Sequence, residues 1–133
     1  MGVDDGQRNV LGERLQPCGV DPVTGFYRDG TCTVGPEDLG VHGVCVVVTE
    51  QFLAHQRETG NDLLTPRPEF QFPGLQPGDR WCVVAQRWRH AYADGVAAPV
   101  VLASTHERVL ALVPIDALRE HAVDVPDSPG DLR

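Results

Sequence analysis

Asp79-Arg80-Trp81-Cys82-Val83-Val84-Ala85-Gln86-Arg87-Trp88-Arg89-His90-Ala91-Tyr92-Ala93-Asp94-Gly95 is the stretch on which the fold turns. At a helical rotation of about 100° per residue, Trp81, Val84, Ala85, Trp88, Ala91 and Tyr92 fall in one stripe, with Gln86, Arg89 and His90 opposite. That pattern predicts a helix from Arg80 to Asp94, capped by Asp79 and ended by Gly95. Cys82 and Val83 do not fit the stripe. A strand at Trp81–Ala85 leading into a shorter helix is therefore the competing reading, because Val83 and Val84 also suit a sheet.

Upstream, Val44-Cys45-Val46-Val47-Val48 is short, β-branched and apolar, the mark of a buried strand. Thr49 follows as an N-cap with Glu50 at the positive end of a helix carrying Phe52 and Leu53, and Gly60 suits its left-handed end. Phe26-Tyr27-Arg28-Asp29-Gly30-Thr31-Cys32 reads as a hairpin turned by Asp29-Gly30, which sets Phe26 and Arg28 on one side. Residues 60–78 hold Gly60, Pro66, Pro68, Pro73, Gly74, Pro77 and Gly78, so no long element is expected there. Downstream, Pro99–Ser104 and Arg108–Val113 read as strands joined near Thr105-His106-Glu107. The segment Ile115–Ala122 reads as a short helix with Ile115, Leu118 and Ala122 inward. Strands and helices mix without strict alternation, so the predicted class is α+β. The expectation is a single compact domain: a small sheet of short strands, about three helices and a long Pro/Gly-rich loop.

Length agrees with one domain, since 133 residues lie within the common range. The 14 Gly and 11 Pro exceed ordinary usage but stay below the level of disordered chains. The expected boundaries are a flexible segment at 1–8, the domain at 9–124 and a flexible acidic tail at 125–133.

Charge excludes several functions. The formal net charge is -8, which disfavours nucleic acid and anionic membrane surfaces as partners. All basic residues other than histidine are Arg. A Schiff-base lysine, a pyridoxal-phosphate anchor and a Walker-type lysine are thereby excluded. No apolar run is long enough to cross a bilayer, and the opening residues lack the pattern of a secretion signal or a lipidation site. Cytoplasmic residence is the expectation, and with it four reduced cysteines.

Residues that fall in order along the chain carry a family resemblance. They are Asn9-Val10-Leu11-Gly12, Thr24-Gly25-Phe26-Tyr27-Arg28-Asp29-Gly30, His42 with Val44-Cys45, Gly60-Asn61-Asp62-Leu63, Phe72-Pro73-Gly74-Leu75 and Pro77-Gly78-Asp79-Arg80-Trp81-Cys82. Arg87-Trp88, Ala98-Pro99 and Thr105-His106 continue the series. Over residues 9–124 the chain resembles the domain-of-unknown-function family 2237, small bacterial proteins, which implies a single domain and no assigned activity. The family pattern reads Trp-Cys-x-Cys, whereas this chain has Val84 at the second cysteine.

Three groups of residues carry possible chemistry. Cys18, Cys32, Cys45 and Cys82 equal the ligand count of a structural zinc site, but no close Cys-x-x-Cys pair is present, and buried thiols more commonly pack as small hydrophobes. A thiol enzyme would need a base, for which His42 beside Cys45 and His106 for Cys82 are the candidates. Serine chemistry is disfavoured, because neither Ser104 nor Ser128 lies in a nucleophile elbow. The third group is Arg28, Asp29, Asn61, Asp62, Asp79, Arg80, Arg87 and His106. Turns and caps account for its Asp and Asn residues. The arginines beside aromatics suit either a buried ion network or a pocket for a small polar or anionic ligand, walled by the long loop. A binding module of that kind is the expectation, with a cysteine metal protein and a small thiol- or His-dependent enzyme as alternatives. Zinc is the cofactor of the metal alternative alone.

Overall fold

Thr49 acts as the sequence demands: its hydroxyl accepts a 3.1 Å hydrogen bond from the Phe52 amide and opens helix α1, Glu50–Glu58. Immediately before it runs strand β1, Val44–Val47. The computed structural model describes residues 7–124. The remaining elements are strand β2 (Arg80–Val83), helix α2 (Ala85–Ala93) and helix α3 (Ile115–Glu120). Single 3-10 turns lie at Pro68–Phe70, Leu102–Ser104 and Glu107–Ala111. The tail predicted at 125–133, and residues 1–6 of the segment predicted at 1–8, lie outside the described residues.

β1 and β2 form a two-stranded antiparallel sheet in which Cys45 pairs with Cys82 and Val46 with Trp81. One further bridge ties Val100 to Val46, and Val100 in turn bridges Ala122. The fold is α+β, as expected, with three helices among the described residues packed around this small sheet. Phe52 and Leu53 of α1 and Ala85, Trp88 and Ala91 of α2 are buried together with Leu118 of α3. No helix among the described residues is long and apolar enough to cross a membrane.

The strand-then-helix reading of residues 80–94 is the correct one. Pairing with β1 buries Trp81, Cys82 and Val83, and the apolar stripe survives only from Ala85 onward. Asp79 therefore caps no helix. Its carboxylate accepts from the Gln76 amide at 2.9 Å, shaping the turn that enters β2.

Two other elements are corrected. The hairpin at 26–32 is a turn-rich loop, with Arg28 at φ 55° and Gly30 at φ 83°. The Arg28 amide bonds the Gly25 carbonyl, and the Gly30 amide bonds that of Thr24, so local turns consume the ladder groups. Gly25 sits at φ 105°, and a Cβ there would lie within 2.4 Å of the Thr31 carbonyl oxygen. The strands at 99–104 and 108–113 reduce to the Val100 bridge and two 3-10 turns. Side chains supply the partners a ladder would have given. Asp124 accepts from the Leu102 and Ala103 amides, the Thr105 hydroxyl joins the Cys45 amide to the Val101 carbonyl, and His106 Nδ1 accepts from the Arg108 amide.

The expectation of reduced cysteines is also corrected. Cys18 is bonded to Cys45 and Cys32 to Cys82, all four buried, with no free cysteine left. Because Cys45 and Cys82 face each other across the sheet, the loop from 18 to 32 is fastened at both ends to adjacent strands.

Candidate functional site

That fastened loop forms one wall of a cleft of about 500 Å³. The long irregular loop supplies the opposite wall through Leu63, Arg67, Phe70 and Phe72, and β2 supplies the floor through Trp81 and Val83, continued by Val84 at the entry to α2. The Trp81 ring packs against Phe72 at 5.2 Å between centroids. The Arg28 guanidinium lies 4.9 Å from the Trp81 ring centroid, a cation–π contact that holds the charge at the cleft.

His42 lines the cleft and is held by Asp38. Asp38 accepts its backbone amide with Oδ2 at 2.7 Å and meets its Nδ1 with Oδ1 at 2.6 Å. The Asp38 side chain is 0% exposed, whereas that of His42 is 36% exposed. A carboxylate can only accept, so Nδ1 carries a proton toward Asp38, and no hydrogen bond engages Nε2 among the described residues. The residue before it, Val41, has φ 57°. A β-branched side chain is strained in that region, and such strain persists only where surrounding contacts enforce it. Arg28 and Gln71 share this left-handed conformation. All three belong to segments that wall the cleft.

Of the eight residues proposed from sequence, the structure brings Arg28, Asn61 and Asp62 to the cleft. Asn61 donates its amide to Gln56 Oε1 at 3.0 Å. Asp62 accepts from the Thr65 hydroxyl and from the Leu64 and Thr65 amides, and these bonds, the hydroxyl foremost, hold its carboxyl below the usual carboxylate range. It serves the loop first and the cleft second.

The other five lie elsewhere. Asp29 accepts from the Thr31 amide and the Thr33 hydroxyl. Asp79 shapes its turn, and Arg80 is exposed at the start of β2. Arg87 donates to the Thr59 carbonyl at 2.8 Å, satisfying the end of α1. His106 is buried, its Nδ1 accepting from the Arg108 amide and its Nε2 meeting Gln7 Oε1 at 2.8 Å.

Burial pushes the His106 pKa down, outweighing the nearby Glu107. The unfolded chain therefore binds this proton more tightly, and stability falls as pH drops below about 6.5, the ordinary histidine value. His106→Asn keeps an acceptor near Nδ1 without a titrating group. Its urea midpoint is expected to change less between pH 7 and pH 5.5 than that of the unaltered protein; parallel curves would remove His106 as the cause.

Sequence reasoning missed Arg67, the three phenylalanines of the walls, and Asp38. His42 had been weighed only as a partner for Cys45, a pairing ruled out because Cys45 is in a disulfide. His106 and Cys82 fail as a pair for the same reason. The four-residue step from Asp38 to His42 was the available signal, since a carboxylate so placed within a turn reaches back to the imidazole.

Residues 8–122 match the model of a family described as an uncharacterized protein conserved in bacteria, DUF2237. The chain belongs to DUF2237. No curated protein matches its sequence. In this DUF2237 member Val84 lines the cleft and presents an isopropyl group to it. The sulfurs of Cys18, Cys32 and Cys82 do converge within 4.8 Å. Paired as disulfides they offer no thiolate, the form in which cysteine ligates zinc.

Proposed function

We propose that this protein is a binding module for a small anionic ligand with a flat apolar body. The observation that carries the reading is the placement of the Arg28 guanidinium against Trp81, on a hollow also walled by Phe26, Phe70 and Phe72. Aromatic faces would take the body of the ligand, while Arg28 and Arg67 would address its charge with planar forks. Asn61 keeps its carbonyl oxygen for a donor on the ligand. Cytoplasmic residence remains our reading of the compartment, where both disulfides would owe their persistence to burial.

The test uses benzoate and phenyl phosphate as probes, followed by NMR of the Trp81 indole. Saturable shifts are expected, and Arg28→Ala and Arg67→Ala should each weaken binding by about 10- to 100-fold, the worth of a charged hydrogen bond. Shifts absent for both probes, or unaltered by both substitutions, would overturn the reading.

The Asp38–His42 pair favours a second reading, a His-dependent reaction in the same cleft. His42 Nε2 would take a proton from water as that water attacks an aryl ester carbonyl, then return it to the departing phenoxide. Hydrolysis of 4-acetoxybenzoate, lost in His42→Ala, would support it. Failure to turn over this bound ester sinks the enzyme reading and leaves the binding reading intact.

A further inference from the structure

Helices α1 and α2 bring together a second set of polar side chains, none of which lines the cleft. His55 stands in the last turn of α1, His90 in the last turn of α2, and Asp94 caps the end of α2. His55 Nε2 lies 2.7 Å from Asp94 Oδ2, and His90 Nε2 lies 3.2 Å from the same oxygen. We propose that His55, His90 and Asp94 form a binding site for a divalent transition metal of borderline softness, with Zn²⁺ as the reference ion.

Geometry is the first support. Two ligands at about 2.1 Å from a metal, subtending 90° to 110°, stand roughly 3.0–3.4 Å apart. The two measured separations lie within a few tenths of an ångström of that range, so an ion can enter by small side-chain rotations. All three donor atoms fall within 4.8 Å of one another. His90 and Asp94 share a face of α2 at the i, i+4 spacing, and α1 holds His55 across from them through buried Phe52, Leu53 and Trp88.

Electrostatics is the second. Both histidines sit in the last turns of their helices, where unpaired carbonyls give a partial negative charge that favours a cation. The Asp94 carboxyl is held below the usual carboxylate range, first by the His55 hydrogen bond, so the anionic ligand is ready at neutral pH. Two imidazole nitrogens and one carboxylate oxygen suit Zn²⁺, Co²⁺ or Ni²⁺ better than Ca²⁺ or Mg²⁺, which prefer all-oxygen shells. The side chains of His90 and Asp94 are 52% and 49% exposed, which leaves an entry path and room for water in the open positions.

The experiment titrates the untagged, oxidised full-length chain with Zn²⁺ by calorimetry and with Co²⁺ by visible absorption. One equivalent is expected to bind. His90→Ala and Asp94→Ala, both at exposed positions, should each lose roughly a hundredfold or more in affinity. His42→Ala should retain it. Absence of saturable binding, or one-equivalent binding that survives both substitutions, would overturn the proposal.

Discussion

Reduction of both disulfides is expected to leave the domain at the edge of unfolding. Cys18–Cys45 and Cys32–Cys82 close loops of 27 and 50 residues. In the chain-entropy account these restrict the unfolded ensemble by about 3.5 and about 4 kcal/mol. The two loops overlap, so the combined effect falls short of the sum. Even one contribution is a large part of the roughly 5–15 kcal/mol available to a domain. Cys32→Ala/Cys82→Ala should lower the urea unfolding free energy by about 4 kcal/mol. A phosphine reductant added to the unaltered protein should lower it further. The double variant should also weaken benzoate binding, because Phe26 and Arg28 ride on the loop that the Cys32 bond secures. A midpoint unmoved by reductant would show that the sulfur bonds add nothing to stability.

Trp88→Ala is expected to cost about 3–5 kcal/mol, the range for truncating a large buried aromatic. The indole is fully buried, stacks on Tyr92 at 5.4 Å and meets the His121 ring edge-on at 5.9 Å. Its Nε1–H donates to the Ala98 carbonyl at 2.9 Å. Trp88→Phe separates the two contributions. It keeps most of the apolar contact but leaves that carbonyl without its donor, for an expected loss of about 1–3 kcal/mol. Urea titration of both variants gives the comparison. Equal losses would mean that the hydrogen bond, rather than the filled volume, dominates at this position.

What could be read from the chain was what local chemistry decides. Thr49 caps its helix and Val44–Val47 form a buried strand because neighbouring residues suffice to choose those states. Residues 60–78 stay irregular, apart from one 3-10 turn at Pro68–Phe70, because seven Gly and Pro residues leave little else. The errors occur where distant groups intervene. The Asp29-Gly30 signal for a hairpin was sound locally, yet the segment is tied at Cys32 to a strand 50 residues away. Strand-like residues at 108–113 yielded to a 3-10 turn once His106 had capped the Arg108 amide. The cleft was harder to read than the fold for the same reason. Asp38 looks like any turn aspartate, and apart from its four-residue step to His42 nothing near it in sequence announces a fully buried side chain. Arg87 and His106 looked functional because their structural partners, Thr59 and Gln7, lie 28 and 99 residues away.

Disulfides hold residues 18–32 at both ends. A rim segment held at both ends surrenders its backbone freedom when the chain folds, not when a guest arrives. In the binding reading, Phe26 and Arg28 would therefore meet an incoming molecule as a preorganised surface, and association would forgo the entropy loss that a floppy lid would add. Selectivity in such a hollow comes from shape already in place, so it should tolerate little variation in the outline of what it admits.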